Sequence, residues 1–153
     1  MSAFWGTPTW IFLHTFAEKI NESFFINNKI KVLKMVKMIC SILPCPVCRR
    51  DANEFMKKVN LSNLKNKADL KMMLFYFHNM VNVRLGKPNF LLSQYDYQNK
   101  SLEESFKKFQ ETFSKKYDSG ISKTLTERMM EKSRISFVEA LKKWLDINKR
   151  FFN

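Results

Sequence analysis

The chain has 153 residues, room for one compact domain with an appended segment, and its 45% hydrophobic and 27% charged residues are those of a globular protein. Three cysteines are too few for a disulfide-built secreted scaffold, no apolar run approaches the ~18 residues of a membrane span, and no basic region or cleavage site marks a signal peptide, so a cytoplasmic location without membrane is expected. The net charge of +13 is spread, +8 over residues 1–99 and +5 over 100–153, and Lys alternates with apolar residues as on a solvated helix face, so nucleic acid is not the expected partner.

Only three Gly and four Pro occur, which argues for an all-α fold. Thr7-Pro8 reads as an N-cap and first-turn proline opening a helix over 8–20. A second helix is predicted over 28–43, with Leu33, Val36, Cys40 and Leu43 on one face and Pro44 ending it. A third opens near Cys45 and runs to about Val59. A fourth, over 67–85, puts Leu70, Leu74, Phe77, Val81 and Leu85 on adjoining faces and stops at Gly86 and Pro88. Residues 88–100 read as irregular. Ser101 with Glu104 matches a capping box for a helix to about Tyr117, and Tyr117–Gly120 reads as a turn. Thr124 with Glu127 matches a second box, and Phe137, Val138, Leu141, Trp144 and Leu145 mark a last amphipathic helix.

The stretch "SILPCPVCRRD" holds Cys45 and Cys48 as a Cys-x-x-Cys pair. A structural zinc site needs two more ligands, and Cys40, His14 and His78 stand at no familiar spacing, so no metal is expected. A disulfide across so short a loop constrains the unfolded chain little. Redox chemistry is the better reading. A pair at a helix start lies at the positive end of the dipole, and Arg49 and Arg50 follow directly, so a stabilised thiolate is expected. Cys40, on the apolar face of its helix, reads as a core residue.

A dithiol needs an electron acceptor. Trp10 and His14 are four residues apart, as are His78 and Asn82, and Lys87 follows the second pair. Two such helix faces suit a slot for a flat aromatic cofactor with a pyrophosphate: rings to stack, an amide for a polar edge, a lysine for phosphate.

The segments "WGTPTWIFLHT", "LPCPVC" and "HNMVNVRLGKPNF", in this order, resemble the Erv/ALR flavin-linked sulfhydryl oxidases over about residues 5–90. The resemblance implies a four-helix FAD-binding bundle with a short fifth helix, here followed by a C-terminal helical extension. It implies FAD contacts from Gly6, Thr7, Trp10, His14, His78, Asn79, Asn82, Leu85 and Lys87, with Tyr95, favoured over Tyr97, stacking on adenine. It makes Cys48 the flavin-proximal cysteine and Cys45 the one that exchanges with substrate. Implied partners are a dithiol protein or thioredoxin-like carrier, dioxygen as acceptor with hydrogen peroxide as product, and a second copy of the chain in a homodimer.

The chain departs from the family in lacking a shuttle cysteine pair and the stapling cysteines of many relatives. The cysteine-poor form is similar to the thiol oxidases of large cytoplasmic DNA viruses, which places the expected site of action in a host cytoplasm or virion. Residues 1–100 are thus read as the oxidase domain and 101–153 as a helical extension that covers the bundle, contacts a second copy or docks a substrate. A chain ending near Lys100 is expected to keep flavin binding. The rival readings are a flavin-free thiol–disulfide carrier and a basic helical binding module.

Overall fold

The computed structural model describes residues 3–91, 93, 96–116 and 123–153. Six α-helices make up the described residues: α1 (Ala3–Lys19), α2 (Glu22–Ser41), α3 (Pro46–Lys57), α4 (Lys67–Arg84), α5 (Leu102–Phe113) and α6 (Leu125–Ile147). No strand occurs among them, only an isolated bridge from Ile20 to Phe152. None of these helices is long and apolar enough to cross a membrane.

Helix α1 begins five residues before Pro8, so the proline is interior and not the first-turn residue its Thr-Pro signature suggests. Buried Trp5 anchors the preceding turn in the core, and Thr9 Oγ1 donates to Trp5 O at 2.7 Å. Only one early helical hydrogen bond is lost to the proline nitrogen. Helix α2 also starts earlier than its apolar stripe suggests. Asn21 caps it by accepting from Phe24 N at 3.1 Å, and the helix kinks at Asn28, whose side chain donates to Phe24 O at 2.8 Å. The stripe itself is as read: Leu33, Val36, Cys40 and Leu43 are buried.

Both capping signatures hold at the backbone. Ser101 Oγ accepts from Glu104 N and Thr124 Oγ1 from Glu127 N, each at 3.2 Å. Helix α5 ends at Phe113, short of Tyr117, and the turn read at 117–120 lies outside the described residues. At the end of α4, Gly86 adopts φ +66°, a conformation that stops the helix at little cost only for glycine. Leu85 is 46% exposed there, not part of the buried face.

One core joins α1–α4 to α5 and α6. Phe12 stacks on Phe109 at 4.8 Å between ring centres, and Phe109 on Phe113 at 4.8 Å. The pairing of α1 with α5 is the most extensive between any two helices described. Helix α6 adds Val138, Leu141 and Leu145 to the core, and its Trp144 lies against Phe16, Phe24 and Phe152. The chain then returns to the α1–α2 turn, where Asn21 N donates to Phe151 O at 2.7 Å and Phe24 stacks on Phe151.

Candidate active site

Helix α2 ends at Ser41, short of the expected stop at Pro44, and Pro46 opens α3 with one residue between the two prolines. That residue is Cys45. It caps α3, its Sγ accepting from Cys48 N at 3.3 Å. All three thiols are free, and both members of the pair are half-buried. Cys40 is fully buried and its thiol is pushed up to about 12 by that burial, as expected of an inert core cysteine.

At Cys48 the expected thiolate is not found in this form of the pair. Burial, then the hydrogen bond and charge of Cys45, push the Cys48 thiol up to about 12. The flanking arginines do not supply the opposing charge that their sequence position promises. Arg49 turns inward, Nη1 donating to Leu43 O at 2.7 Å and Nη2 to Glu127 Oε1 at 2.6 Å. Arg50 lies 3.7 Å from Asp51, which also pairs with Arg84 at 3.1 Å. Arg49 is matched by Glu127, while Arg50 and Arg84 share the one carboxylate of Asp51. Cys48 opens into a cleft of about 310 Å³ floored by Ala52, Phe77 and Val81 and edged by Leu85.

Leu85 also edges a second groove, of about 390 Å³. Gly6, Thr7 and Trp10 form its α1 wall, and His78, Asn82 and Lys87 face them from α4 and its C-terminal loop. Trp10 and His78 stack at 4.1 Å and 7°. Asn82 donates to Pro88 O at 3.2 Å and accepts, through its carbonyl, from Lys87 N at 2.9 Å, so the groove's floor and loop are tied together.

His14 lies behind this wall. It is buried, its Nε2 is 2.9 Å from His78 Nδ1, and it lines a third cleft with Lys71 and Tyr97. Burial, and then the neighbouring His78, lower His14 to about 3. Burial, and then Lys87, lower His78 to about 4. Both rings are therefore neutral at pH 7, one donating and one accepting.

Asn79 is engaged differently. Its Nδ2 donates to Phe90 O at 3.2 Å and its Oδ1 accepts from Phe90 N at 2.6 Å, a two-point clamp on the loop. Tyr95 lies outside the described residues. Two aromatic walls escaped the sequence reading or were ranked low in it. Phe90 stacks on His78 at 4.4 Å and on His14 at 4.8 Å, and Tyr97 stacks on His14 at 5.0 Å. Phe90 closes the motif "GKPNF", a signal that was available; Tyr97 had only its proximity to that motif.

The groove fits an aromatic dinucleotide on its own chemistry. It is lined by the rings of Trp10, His78 and Phe90, which stack on one another, by an amide in Asn82, and by two ammonium groups, Lys87 and Lys100, for phosphate charge. Its volume lies in the ~300–1,000 Å³ range of cofactor clefts, and it meets the Cys48 cleft at Leu85.

Residues 7–106, which carry both walls and the cysteine pair, match the model of the Erv1/Alr family. The chain belongs to that family. Among Erv1/Alr proteins it is similar to "FAD-linked sulfhydryl oxidase" of African swine fever virus (isolate Pig/Kenya/KEN-50/1950), 32% identical over 91 residues, covering 60% of this chain and 76% of the relative. It is also similar to "FAD-linked sulfhydryl oxidase ERV1" of Oryza sativa subsp. japonica, 31% identical over 85 residues, covering 56% of this chain and 43% of the relative. No solved structure matches the chain. The Erv1/Alr match stops inside α5, so α6 and its contacts to Ile42 and Arg49, which flank the cysteine pair, lie beyond it.

Proposed function

We propose that this protein is an FAD-linked sulfhydryl oxidase that forms disulfides in dithiol-bearing partner proteins through Cys45 and Cys48. The observation that carries the reading is the adjacency, in an Erv1/Alr chain, of the Cys48 cleft and the aromatic groove across Leu85. Relatives named for the same FAD-linked activity support it.

Cys45 sits at the cap of α3, where a substrate thiolate attacks its sulfur when the pair is oxidised. The Cys45–Cys48 bond breaks as the mixed disulfide forms, and Cys48 leaves as thiolate. The second substrate thiol then attacks the substrate sulfur and releases Cys45. The substrate departs oxidised by two electrons, and the pair is left as a dithiol. Bound FAD supplies the two-electron acceptor that returns the pair to the disulfide. Trp10, His78 and Asn82 would hold the cofactor rings and Lys87 would face its phosphates, while the Asn79 clamp keeps Phe90 at the wall.

Dioxygen as final acceptor, with hydrogen peroxide as product, belongs to the same reading. So does a thioredoxin-like carrier among the substrates. A homodimer would cover the exposed Ile26, Ile30 and Met38 along α2. Action in a host cytoplasm or virion accords with the absence of a structural disulfide among three free cysteines.

The test is a visible spectrum of the purified protein with dithiothreitol. A yellow protein that bleaches under nitrogen, recovers in air and yields peroxide meets the proposal. A colourless protein that still exchanges disulfides is a flavin-free carrier instead.

A further inference from the structure

Helix α6 lies outside the family match, yet one of its side chains ends on the backbone beside the redox pair and another on the side chain of Arg49. Arg134 is buried, and its Nη1 donates to Ile42 O at 2.9 Å. Glu127 Oε1 accepts from Arg49 Nη2, and the same guanidinium holds Leu43 O through Nη1. Ile42 and Leu43 are buried and immediately precede the Pro44-Cys45 corner; Arg49 immediately follows Cys48. Glu127 and Arg134 are seven residues apart, two helical turns, so they project from one face about 10 Å apart. A buried carbonyl left without its donor costs ~1–3 kcal/mol, so these contacts fix where the corner sits.

We propose that Glu127 and Arg134 are positioning residues for the redox pair: α6 braces the Ile42–Cys45 corner, Arg134 through Ile42 O and Glu127 through Arg49 and Leu43 O. The inference rests on the redox reading of Cys45 and Cys48. The charged groups that line the Cys48 cleft are Arg50 and Asp51 on α3 and Arg84 on α4, two guanidiniums sharing one carboxylate. Cys45 is its thiol neighbour. Arg49 holds Leu43 O, so the place of the corner depends on a residue of the extension.

The test uses the full-length flavin-loaded protein under nitrogen, equilibrated with glutathione and its disulfide. Two glutathiones give two electrons and two protons to the protein disulfide, yielding the dithiol and one glutathione disulfide; alkylation and mass count the dithiol. Glu127→Gln loosens Arg49 and with it the Leu43 carbonyl, so the two sulfurs are held less closely for the disulfide and this equilibrium shifts toward the dithiol by roughly tenfold, about 30 mV for a two-electron couple. Its kcat with dithiothreitol falls by about tenfold, the scale of a misplaced reacting group, while KM and flavin content stay as in wild type. Arg134→Met loses kcat likewise, and Arg134→Lys, which still donates to Ile42 O, restores it.

A merely structural role would lower melting temperature and leave the glutathione equilibrium where it was. An unchanged equilibrium and kcat in folded, flavin-loaded Glu127→Gln overturns the inference, as does a wild-type kcat in Arg134→Met. A wild-type pair that is inert to glutathione overturns the redox reading and the inference with it; a wild-type pair that equilibrates, with a variant that equilibrates identically, overturns the inference alone.

Discussion

Two sulfurs and two imidazoles set the behaviour of the site at the level of single residues. Burial and then Cys45 hold the Cys48 thiol high. Cys45→Ser removes the second cause and leaves the first, so Cys48 should react with iodoacetamide at lower pH than in wild type, while disulfide formation is lost entirely. Alkylation rate against pH reads the first effect, and oxygen uptake with a dithiol reads the second. The histidines act on stability. Their folded pKa values, about 3 for His14 and about 4 for His78, lie below the usual ~6.5. An unfolded chain takes up these protons first. Stability from the neutral pair is thus fully present above about pH 6.5 and is lost as pH falls through the window toward 4 and then 3. Melting temperature should drop across that window in wild type and drop less in His14→Phe, which keeps a ring against Phe90 and Tyr97 but has no proton to take up.

Between elements, the loop after α4 decides whether the groove keeps its shape. Gly86 turns it with φ +66°, and a Cβ there would meet nothing within 4 Å. Gly86→Ala therefore costs conformational energy alone, ~1–2 kcal/mol, read as a lower denaturant midpoint with an unchanged slope. Asn79 then fastens the loop by two hydrogen bonds to Phe90. Asn79→Ala should cost ~0.5–1.5 kcal/mol per bond. The Phe90 wall would loosen, and flavin should be released faster on dilution; equal flavin retention in wild type and variant would contradict this. Near the other end of the site, α6 enters as a strut. Its 23 residues span about 34 Å at ~1.5 Å per residue, from the Arg49 contact to the α1–α2 turn.

Across the whole molecule, the packing of α5 and α6 leads to a truncation outcome different from the one expected from motif positions. Ending the chain at Lys100 removes Phe106, Phe109 and Phe113 and uncovers Phe12 and Phe16, which are fully buried. A fragment of residues 1–100 should be poorly soluble and lose flavin; one of residues 1–116 keeps the α1–α5 layer and should fold with a lower melting temperature. Phe109→Ala in the full chain should cost ~3–5 kcal/mol, as for a large core cavity. Much of this arrangement is legible one turn at a time. The Ser101 and Thr124 caps, the Gly86 stop, the buried stripe of α2 and the Cys45–Cys48 spacing depend on neighbours within a few residues, so the sequence carries them openly. The motif segments also placed Trp10, His78, Asn82 and Lys87 together, because helical spacing puts each pair on one face. Glu127 was marked only as the capping partner of Thr124, and Arg134 carried no mark at all. A charged residue on an amphipathic helix has the same local pattern whether it faces water or a carbonyl 92 residues away. The direction taken by Arg49, 78 residues from its partner, and the meeting of His14 with His78 across 64 residues were decided only when the helices packed. Packing alone determines which charges are matched and which rings lose their water.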